Sequence, residues 1–572
     1  MKKLGFPSLF VAVLAASPMA AQTAPAPAPP ASKAAPQEKP IPPVSESVEV
    51  SVTSVDVVVT DSKGRRVPDL TRDDFEVWQD GVPQKITNFY AVNGGKVVLE
   101  DGKVVAIDSK DAAEQLPMDL KARYILFIDN LNIQPQNRNR MMDRLEDFVT
   151  QSVGSKAEAM VVTYNRSLKV RRKFTSEASE VVAMLEEIKR ETGGGTSLAS
   201  ERRDALHQID ESQSAGEATS IARNFSRSMR NDLEFLVDAL KNTLNSLAGI
   251  EGRKVLVYVS EGLPSTAGLE LYDQIQRKYS DQAGTATLEQ FEFDMNAKYA
   301  KIIQAANAQG VTIWALDASG LTTDALVSAE NRSFDTRPND FMMRQNYQAP
   351  IQLMAEQTGG MAAVNTNDWK KSLDELASDF SNFYSLGYRT TRAAVDRPHS
   401  VEVKVKRKGL TVRARKGFLE KTIETKTAEG VLASLFYQRD ENPLGISVSV
   451  GAQKPYDREN FAVPVRIAVP IGKLGLVPVG DHYEATFFVY IVARDSGEKQ
   501  SDLAVQRQLV TVPTKDLDKA QHRDWYYDFT MTVAPGAQRV AFAVRDGISN
   551  QVSFYQKNLF ISLLPKEAKE KG

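Results

Sequence analysis

Short apolar runs separated by amphipathic segments define the middle of this chain, from residue 120 to residue 390. The run at residues 124–128 is almost uninterrupted, which is typical of a strand buried on both faces of a parallel sheet. Similar runs end at Thr163, Ser260 and Asp317. The intervening segments have helical periodicity and predict helices at residues 139–151, 177–190 and 369–384. This alternation predicts an open, doubly wound α/β sheet with right-handed crossovers.

The segments on either side of the α/β region show the alternation of β-strands. Valines alternate with polar residues from residue 48 onward, and residues 45–95 predict a small β domain that packs on the α/β region. Residues 396–420 predict a β-hairpin with its turn at Lys408. Regularly spaced strands separated by turn residues at 430–565 predict a β-sandwich. The predicted fold is therefore α/β plus all-β.

The N-terminus has the pattern of an export signal. Lys2 and Lys3 precede an apolar stretch at residues 4–16 that is too short to span a membrane stably, and small residues come after it. We expect a signal peptide at residues 1–21, with an uncleaved N-terminal anchor as the alternative. Residues 22–44 are almost entirely Ala, Pro and small polar groups and predict an extended linker. The expected location is the periplasm or the exterior of the cell.

Composition excludes several kinds of chemistry. The chain has 572 residues, a formal net charge of -2 and no cysteine. It therefore has no disulfide, thiol nucleophile or cysteine-ligated metal. Its near-zero charge gives no electrostatic reason to expect nucleic acid binding. No later segment is apolar for long enough to predict a transmembrane span.

The candidate chemistry lies at the ends of the predicted parallel strands. Ligands bind doubly wound sheets outside the carboxyl ends of their strands. Asp129, Glu261 and Asp317 lie at the ends of three of these strands, and Thr196 comes after a run of three glycines. No metal spacing and no Ser/His/Asp order is found among the four histidines, His207, His399, His482 and His522. No catalytic residue is predicted.

Several motifs in this order resemble the secreted von Willebrand factor A-related family of acidobacteria. The resemblance covers residues 45–418. The motifs that carry it are the segments at residues 70–81 (LTRDDFEVWQDG), 353–360 (LMAEQTGG), 384–388 (YSLGY) and 412–418 (VRARKGF). The resemblance implies a von Willebrand factor A-like sheet. It supports fold better than function, because function depends on the residues of the site.

The resemblance also implies a place for a metal-ion-dependent adhesion site. That site combines an Asp-x-Ser-x-Ser loop with a Thr and a later Asp. Asp129 matches the first Asp, Thr196 the Thr and Glu261 the later Asp. The two Ser positions are Leu131 and Ile133, which have no ligating side-chain atom. The implied site is degenerate.

Two interpretations of this degenerate site remain open. In one, Asp129, Thr196 and Glu261 bind Mg²⁺ or Ca²⁺ weakly, with a carbonyl oxygen from Asn132. In the other, Asp129 and Thr196 cap loops and helices and no metal binds. The number of available ligands favours the second, and no cofactor is predicted.

Two polar segments, at residues 201–230 and 321–347, look like insertions near the strand ends. The second carries Phe334, Phe341 and Tyr347 in a polar context, and aromatic residues on such loops suit protein recognition. Alternatively, these rings pack under their own loop.

The leading hypothesis is therefore an exported protein-binding or adhesion-type module that is not an enzyme. One alternative is a structural scaffold of an envelope assembly, in which the C-terminal sandwich binds. Another is a hydrolase that uses Asp129, Glu261 and Asp317, because acid–base chemistry needs converging carboxylates.

Overall fold

The structure is a computed structural model, and it describes residues 14–15, 51–94, 96–99, 104–106, 122–250, 252–280, 283–321, 339–390, 395–436, 439, 441–457, 460–495 and 499–561. These residues form two compact units. The first comprises residues 50–247 and 251–420. The second comprises the described residues from 421 onward, residues 248–250 and a short strand at 14–15.

The strands number 26 in the described residues. In chain order they are β1 Leu14–Ala15, β2 Ser51–Asp61, β3 Phe75–Gln79, β4 Val82–Gln84, β5 Ile86–Asn93, β6 Lys96–Leu99, β7 Val104–Ala106, β8 Ala122–Asp129, β9 Ala157–Tyr164, β10 Leu168–Thr175, β11 Arg253–Ser260, β12 Val311–Asp317, β13 Ala362–Ala363, β14 Asn382–Thr390, β15 Arg397–Val405, β16 Leu410–Ala414, β17 Gly417–Glu420, β18 Ser447–Val450, β19 Lys454–Pro455, β20 Phe461–Pro470, β21 Val477–Val479, β22 His482–Asp495, β23 Ala504–Pro513, β24 Asp524–Val533, β25 Gly536–Asp546 and β26 Val552–Ile561.

The α-helices are numbered in the same way. They are α1 Pro135–Ser152, α2 Ala178–Lys189, α3 Gly195–Glu211, α4 Ala215–Ser246, α5 Leu269–Tyr279, α6 Gly284–Glu289, α7 Asn296–Ala308, α8 Asn339–Gln357, α9 Trp369–Ser381, α10 Ile423–Ala433 and α11 Leu517–Ala520. None of the described helices is long and apolar enough to cross a membrane.

The first unit contains a six-stranded sheet in the order β10-β9-β8-β11-β12-β13. β9, β8, β11, β12 and β13 pair in parallel, and β10 is antiparallel to β9 at the edge. This is the open, doubly wound arrangement that the alternating pattern predicts, and the prediction of a mixed α/β protein is confirmed. β11 and β12 end at Ser260 and Asp317, as predicted. β10 was not predicted, because its charged sequence (LKVRRKFT) has no apolar run.

Side chains on both faces of β8 are buried. Tyr124, Leu126 and Ile128 point to one face, and Ile125 and Phe127 to the other. The first three belong to a core that also includes residues of α1, α2 and α9, among them Met141, Leu145, Leu185 and Leu373. A strand covered on both faces needs a continuous apolar run, and for this reason the sequence of residues 124–128 predicts the strand.

Two antiparallel sheets, one of six strands and one of four, complete the first unit. Their orders are β16-β2-β14-β5-β6-β7 and β17-β15-β3-β4. One core joins them, with buried side chains from both sheets, including Val57, Leu386, Val77 and Val401. The predicted small β domain at residues 45–95 therefore shares its core with strands from the end of the unit. These two sheets together are called the β layer. The β layer is larger than the segment at residues 45–95, which alone would be only marginally stable because of its small size.

The predicted hairpin at residues 396–420 is wrong. The chain does turn near Gly409, whose φ of 78° suits glycine. However, β15 pairs with β3 and β17, whereas β16 pairs with β2. The two strands thus belong to different sheets of the β layer. Alternation predicts the strands but does not identify their partners, and two of these partners, β3 and β2, are more than 300 residues away in sequence.

The closing helix is shorter than the predicted segment at residues 369–384. α9 ends at Ser381, and β14 begins at Asn382, whose φ of -145° is extended. Phe383 and Tyr384 are buried in the β layer instead of continuing the helix. Phe383 and Tyr384 fit both the helical and the strand periodicity of the sequence. The pairing of β14 with β2 and β5 favours the strand.

The second unit is built on two antiparallel sheets. β18, β20 and β24 form one, with β1 and β19 at its sides. β22 is central in the other and pairs with β21, β23 and β25, and β26 pairs with β25. One core receives apolar side chains from both sheets, including Val465, Phe529, Phe487 and Phe542. α10 covers the outer side of the second sheet through Val431.

A candidate binding cleft at the carboxyl edge of the parallel sheet

The carboxylate of Asp129, at the end of β8, is turned into the protein. Its Oδ1 accepts hydrogen bonds from the backbone N–H groups of Leu131 and Asn132, at 3.2 and 3.1 Å. Its Oδ2 accepts bonds from the Asn132 amide (2.9 Å), the Tyr258 hydroxyl (2.7 Å) and the Ser260 hydroxyl (3.4 Å). Burial raises the pKa of this carboxyl, although the hydrogen bonds act in the opposite direction. Both carboxylate oxygens of Asp129 therefore accept hydrogen bonds from groups of the protein itself.

The loop after β8 places apolar side chains where the family resemblance expects serine ligands. Leu131 and Ile133 are buried, and Ile133 belongs to the central core. The backbone of Gly195 closes over this loop, because a Cβ at that position would lie 2.2 Å from the carbonyl oxygen of Ile133. The loop is therefore packed as part of the core.

Glu261, just after β11, is tied to the same loop. Its backbone N–H donates to the Asn132 carbonyl oxygen at 3.0 Å. Its Oε1 accepts bonds from the Gln134 N–H at 2.8 Å and the Asn137 amide at 2.7 Å. Burial raises the pKa of Glu261, and the negative charge of Asp317 adds to this effect. Glu261 and Asp317 therefore interact electrostatically.

Asp317, at the end of β12, is also held by protein donors. Its Oδ1 accepts bonds from the backbone N–H and the hydroxyl of Ser319, at 2.9 and 2.6 Å. Its Oδ2 accepts a bond from the Gln348 amide of α8 at 2.9 Å. Burial raises the pKa of Asp317. The aspartate thus joins the strand end to α8.

A cleft of about 280 Å³ opens at this edge of the sheet. Its walls come from the strand ends, the start of α3 and the middle of α8, and include Leu198, Arg202, Glu261, Asp317, Met343 and Tyr347. Its polar and apolar residues are mixed. This is the position at which doubly wound sheets generally bind ligands.

Arg202 forms one wall of the cleft and was not predicted from the sequence. Its Nε lies 3.2 Å from Oε1 of Glu270, and its guanidinium lies over the Tyr347 ring, 5.5 Å from the centroid. The Tyr347 hydroxyl lies 3.5 Å from the same carboxylate oxygen. The wall is therefore an ion pair stacked on an aromatic ring.

The structure brings together some of the predicted site residues. Asp129, Asn132 and Glu261 share one hydrogen-bonded loop, and Glu261 faces the cleft with Asp317. Thr196 is exposed on the first turn of α3, and it is not among the described residues that line the cleft.

Two of the three predicted partner-binding residues, Phe341 and Tyr347, lie on a helix instead of a loop. Both are on α8, where Phe341 is 65% exposed and Tyr347 is half-buried in the cleft wall. Phe334 lies outside the described residues. The predicted insertion at residues 201–230 is also helical, because α3 and α4 cover most of it. Many of its polar residues are exposed on these two helices.

This arrangement does not fit the divalent-metal site that the resemblance implies. Mg²⁺ requires about six oxygen ligands in near-octahedral geometry. Asp129 directs both oxygens to internal donors, and the serine positions are apolar and buried. No group of three or more Asp, Glu or His side chains suited to a metal occurs in the described parts of the chain. A metal at Asp129 would have to displace the hydrogen bonds that its oxygens accept.

The raised pKa of Glu261 gives a prediction of pH dependence. A carboxyl whose pKa is higher folded than unfolded makes a contribution to stability that falls as pH rises from the unfolded value through the folded one. Glu261→Gln removes this effect and retains an acceptor for Gln134 and Asn137. We therefore expect the stability of the variant relative to the parent to increase between about pH 4 and about pH 7.

Urea unfolding at both pH values measures this difference. Glu76→Gln, at an exposed position of β3, is the matched control and should show no such trend. A relative stability of Glu261→Gln that decreases with pH would contradict the assignment.

The solved structures named here are only distantly similar to this chain. No protein-family model matches the chain, and no curated protein matches it. Among solved structures, a von Willebrand factor type A protein from Catenulispora acidiphila is 10% identical, and the match covers 89% of this chain and 74% of that chain with a TM-score of 0.23. BatB from Bacteroides thetaiotaomicron is 12% identical, with 46% and 97% covered and a TM-score of 0.21.

The manganese-loaded TRAP protein of Plasmodium vivax is a third match, 8% identical, covering 52% of this chain and 94% of that chain with a TM-score of 0.21. Likenesses at these scores carry no argument about function. The strand order of the first unit defines the class of its fold, an open, doubly wound α/β sheet with one antiparallel edge strand.

Proposed function

We propose that this chain is a protein-binding module whose recognition surface is the carboxyl edge of the parallel sheet. The observation that carries the proposal is a cleft of mixed polar and apolar lining, with exposed apolar side chains on the segments that line it. Phe341 and Met342 precede the lining residue Met343 on α8, and Leu321 follows the lining residue Ser319 by two positions. These three side chains, here called the rim, are 65%, 41% and 59% exposed in that order. Exposed apolar side chains around a polar centre are typical of interaction sites.

The proposed recognition needs no metal ion. The hydrogen bonds of Asp129 support this part of the proposal, because they use the oxygens that a metal would require. Binding would then depend on the side chains of the cleft and its rim.

The proposal assigns no catalytic step to the cleft. Glu261 and Asp317 face it together, but each is held by internal donors. None of its described lining residues is a histidine, so a serine there has no imidazole base.

We also propose that the protein is exported from the cytoplasm. The positive residues Lys2 and Lys3, the apolar stretch at 4–16 and the proline-rich linker at 22–44 support it. A protein tethered or released outside the cytoplasm would present the cleft to partners of the cell envelope or the surroundings. The alternative is a scaffold role in which the second unit binds the partner. The experiment must distinguish this role from binding at the cleft.

Crosslinking capture from the native envelope, with and without EDTA, tests the proposal. We expect capture of a protein partner that EDTA does not reduce. Phe341→Ala should weaken capture about tenfold or more, as expected when an anchor residue is truncated. Phe235→Ala is the matched control, because Phe235 is also helical and 66% exposed.

Three outcomes would contradict this assignment. Loss of capture in EDTA would show that a metal is required. Equal losses of capture in Phe341→Ala and Phe235→Ala would show that the rim makes no specific contribution to binding. Unchanged capture in Phe341→Ala, with capture by the second unit, would favour the scaffold.

A further inference from the structure

Two carboxylates and two guanidinium groups line the cleft. Glu261 and Asp317 line it, and Glu270 stands behind its wall. Arg202 and Arg344 are the two guanidinium groups of the lining. Arg202 is already paired with Glu270 and stacked on Tyr347. With Arg202 paired to Glu270, which is not among the described lining residues, the carboxylates of Glu261 and Asp317 face one further cation, Arg344.

One oxygen of this acidic pair is available to a ligand. Both internal donors to Glu261 bind Oε1. Oε2 has no hydrogen-bond partner among the described residues. The charge of Asp317 raises the pKa of Glu261, and the charge of Arg202 lowers it. A cation placed near both carboxylates would add to the effect of Arg202 and further offset their repulsion. The floor of the cleft thus suits a positively charged group that donates hydrogen bonds.

The walls above this floor are partly apolar. Leu198 of α3 and Met343 of α8 line the cleft, and Phe341 and Met342 are exposed at its rim. A volume of about 280 Å³ is at or below the lower limit for small-molecule sites. It has room for one long side chain and not for a folded segment. An aliphatic stem with a cationic end matches both parts of the cleft.

We propose that the cleft binds a single lysine or arginine side chain presented by the partner protein. The stem lies against Leu198 and Met343, and the cationic end donates hydrogen bonds to Glu261 beside Asp317. This inference rests on the proposed function and names the chemistry of its partner. It assigns to the carboxylates the direct recognition of a cation without a bridging metal.

The test uses the full-length protein and four small probes. N-acetyl-arginine amide and N-acetyl-lysine amide carry the proposed groups. N-acetyl-glutamine amide is the neutral control, and N-acetyl-glutamate amide carries the opposite charge. Ligand-observed NMR measures their binding. We expect the arginine and lysine probes to bind in preference to the other two.

Two variants locate the interaction. Glu261→Gln should lower the affinity for the basic probes about tenfold or more, the loss expected for a charge-assisted hydrogen bond. Leu198→Lys should block the probes by placing a cation of the chain itself in the cleft. It keeps the proposal testable if the first variant does not fold. Glu76→Gln should bind the probes like the parent, because Glu76 is an exposed residue of β3.

Each result bears separately on the two proposals. Partner capture without any binding of the basic probes would overturn the cation assignment and leave the protein-binding proposal standing. Basic probes that bind without any captured partner would support the cleft chemistry and overturn the protein-binding proposal. Preference for the glutamate probe would assign the cleft to an anion at Arg202 and Arg344.

Discussion

Asp129→Ala is expected to lower the free energy of unfolding of the first unit by about 3–5 kcal/mol. The substitution leaves the Tyr258 hydroxyl, the Asn132 amide and two backbone N–H groups without their acceptor. Each buried donor that loses its partner costs about 1–3 kcal/mol, and some reorientation reduces the sum. Urea unfolding of the full chain measures the effect.

The control for this prediction is Asp204→Ala. Asp204 is an exposed residue of α3, and its removal should change the free energy of unfolding by no more than about 0.5 kcal/mol. A metal ligand would behave differently. If Asp129→Ala were nearly neutral and added Mg²⁺ stabilised only the parent protein, the hydrogen-bonded role of Asp129 would be wrong.

Asp379→Ala is expected to destabilise the first unit by a similar amount, about 3–5 kcal/mol. Asp379 of α9 is buried and forms ion pairs with Arg66 and Arg413 of the β layer. Nη2 of Arg413 lies 2.7 Å from Oδ2 of Asp379. Removing the aspartate leaves two largely buried guanidinium groups without their carboxylate. This loss exceeds the energy of the pair itself, because an unpaired buried charge is strongly unfavourable.

Asp374→Ala provides the comparison on the same helix. Asp374 pairs with Lys370 at 2.8 Å, but both side chains are more than half exposed. Exposed pairs of this kind contribute at most about 1 kcal/mol. Similar small effects of both aspartate variants would show that the cluster around Asp379 is solvated and does not hold the α/β sheet to the β layer.

The sequence was most informative where burial acts on every residue of a segment. β12 and β11 are covered on both faces, so an apolar run of strand length marks them almost residue by residue. The strand ends then placed Asp129, Glu261 and Asp317 at one edge. Sheet topology alone requires this proximity.

The sequence was least informative where a side chain depends on a distant partner. The charged strand β10 forms because β9 offers a free edge, and its alternating residues need not be apolar. Arg202 lies in a polar helical stretch with no distinguishing signal, and only tertiary packing brings it to Glu270 and Tyr347. The choice of hydrogen-bond partners for Asp129 was likewise invisible, since a carboxylate at a strand end can face solvent or the interior.

The central position of β14 has a consequence for the order in which the chain matures. β14 lies between β2 and β5, and the Tyr384 hydroxyl accepts a hydrogen bond from the Leu70 N–H across 314 positions of sequence. Because synthesis runs from the N-terminus, β2 and β5 emerge before this strand and cannot pair with it until residues 382–390 have been made. The α/β sheet can therefore assemble before β2 and β5 are paired with β14. The β layer is then completed last, after the sheet that lies between its strands in the sequence.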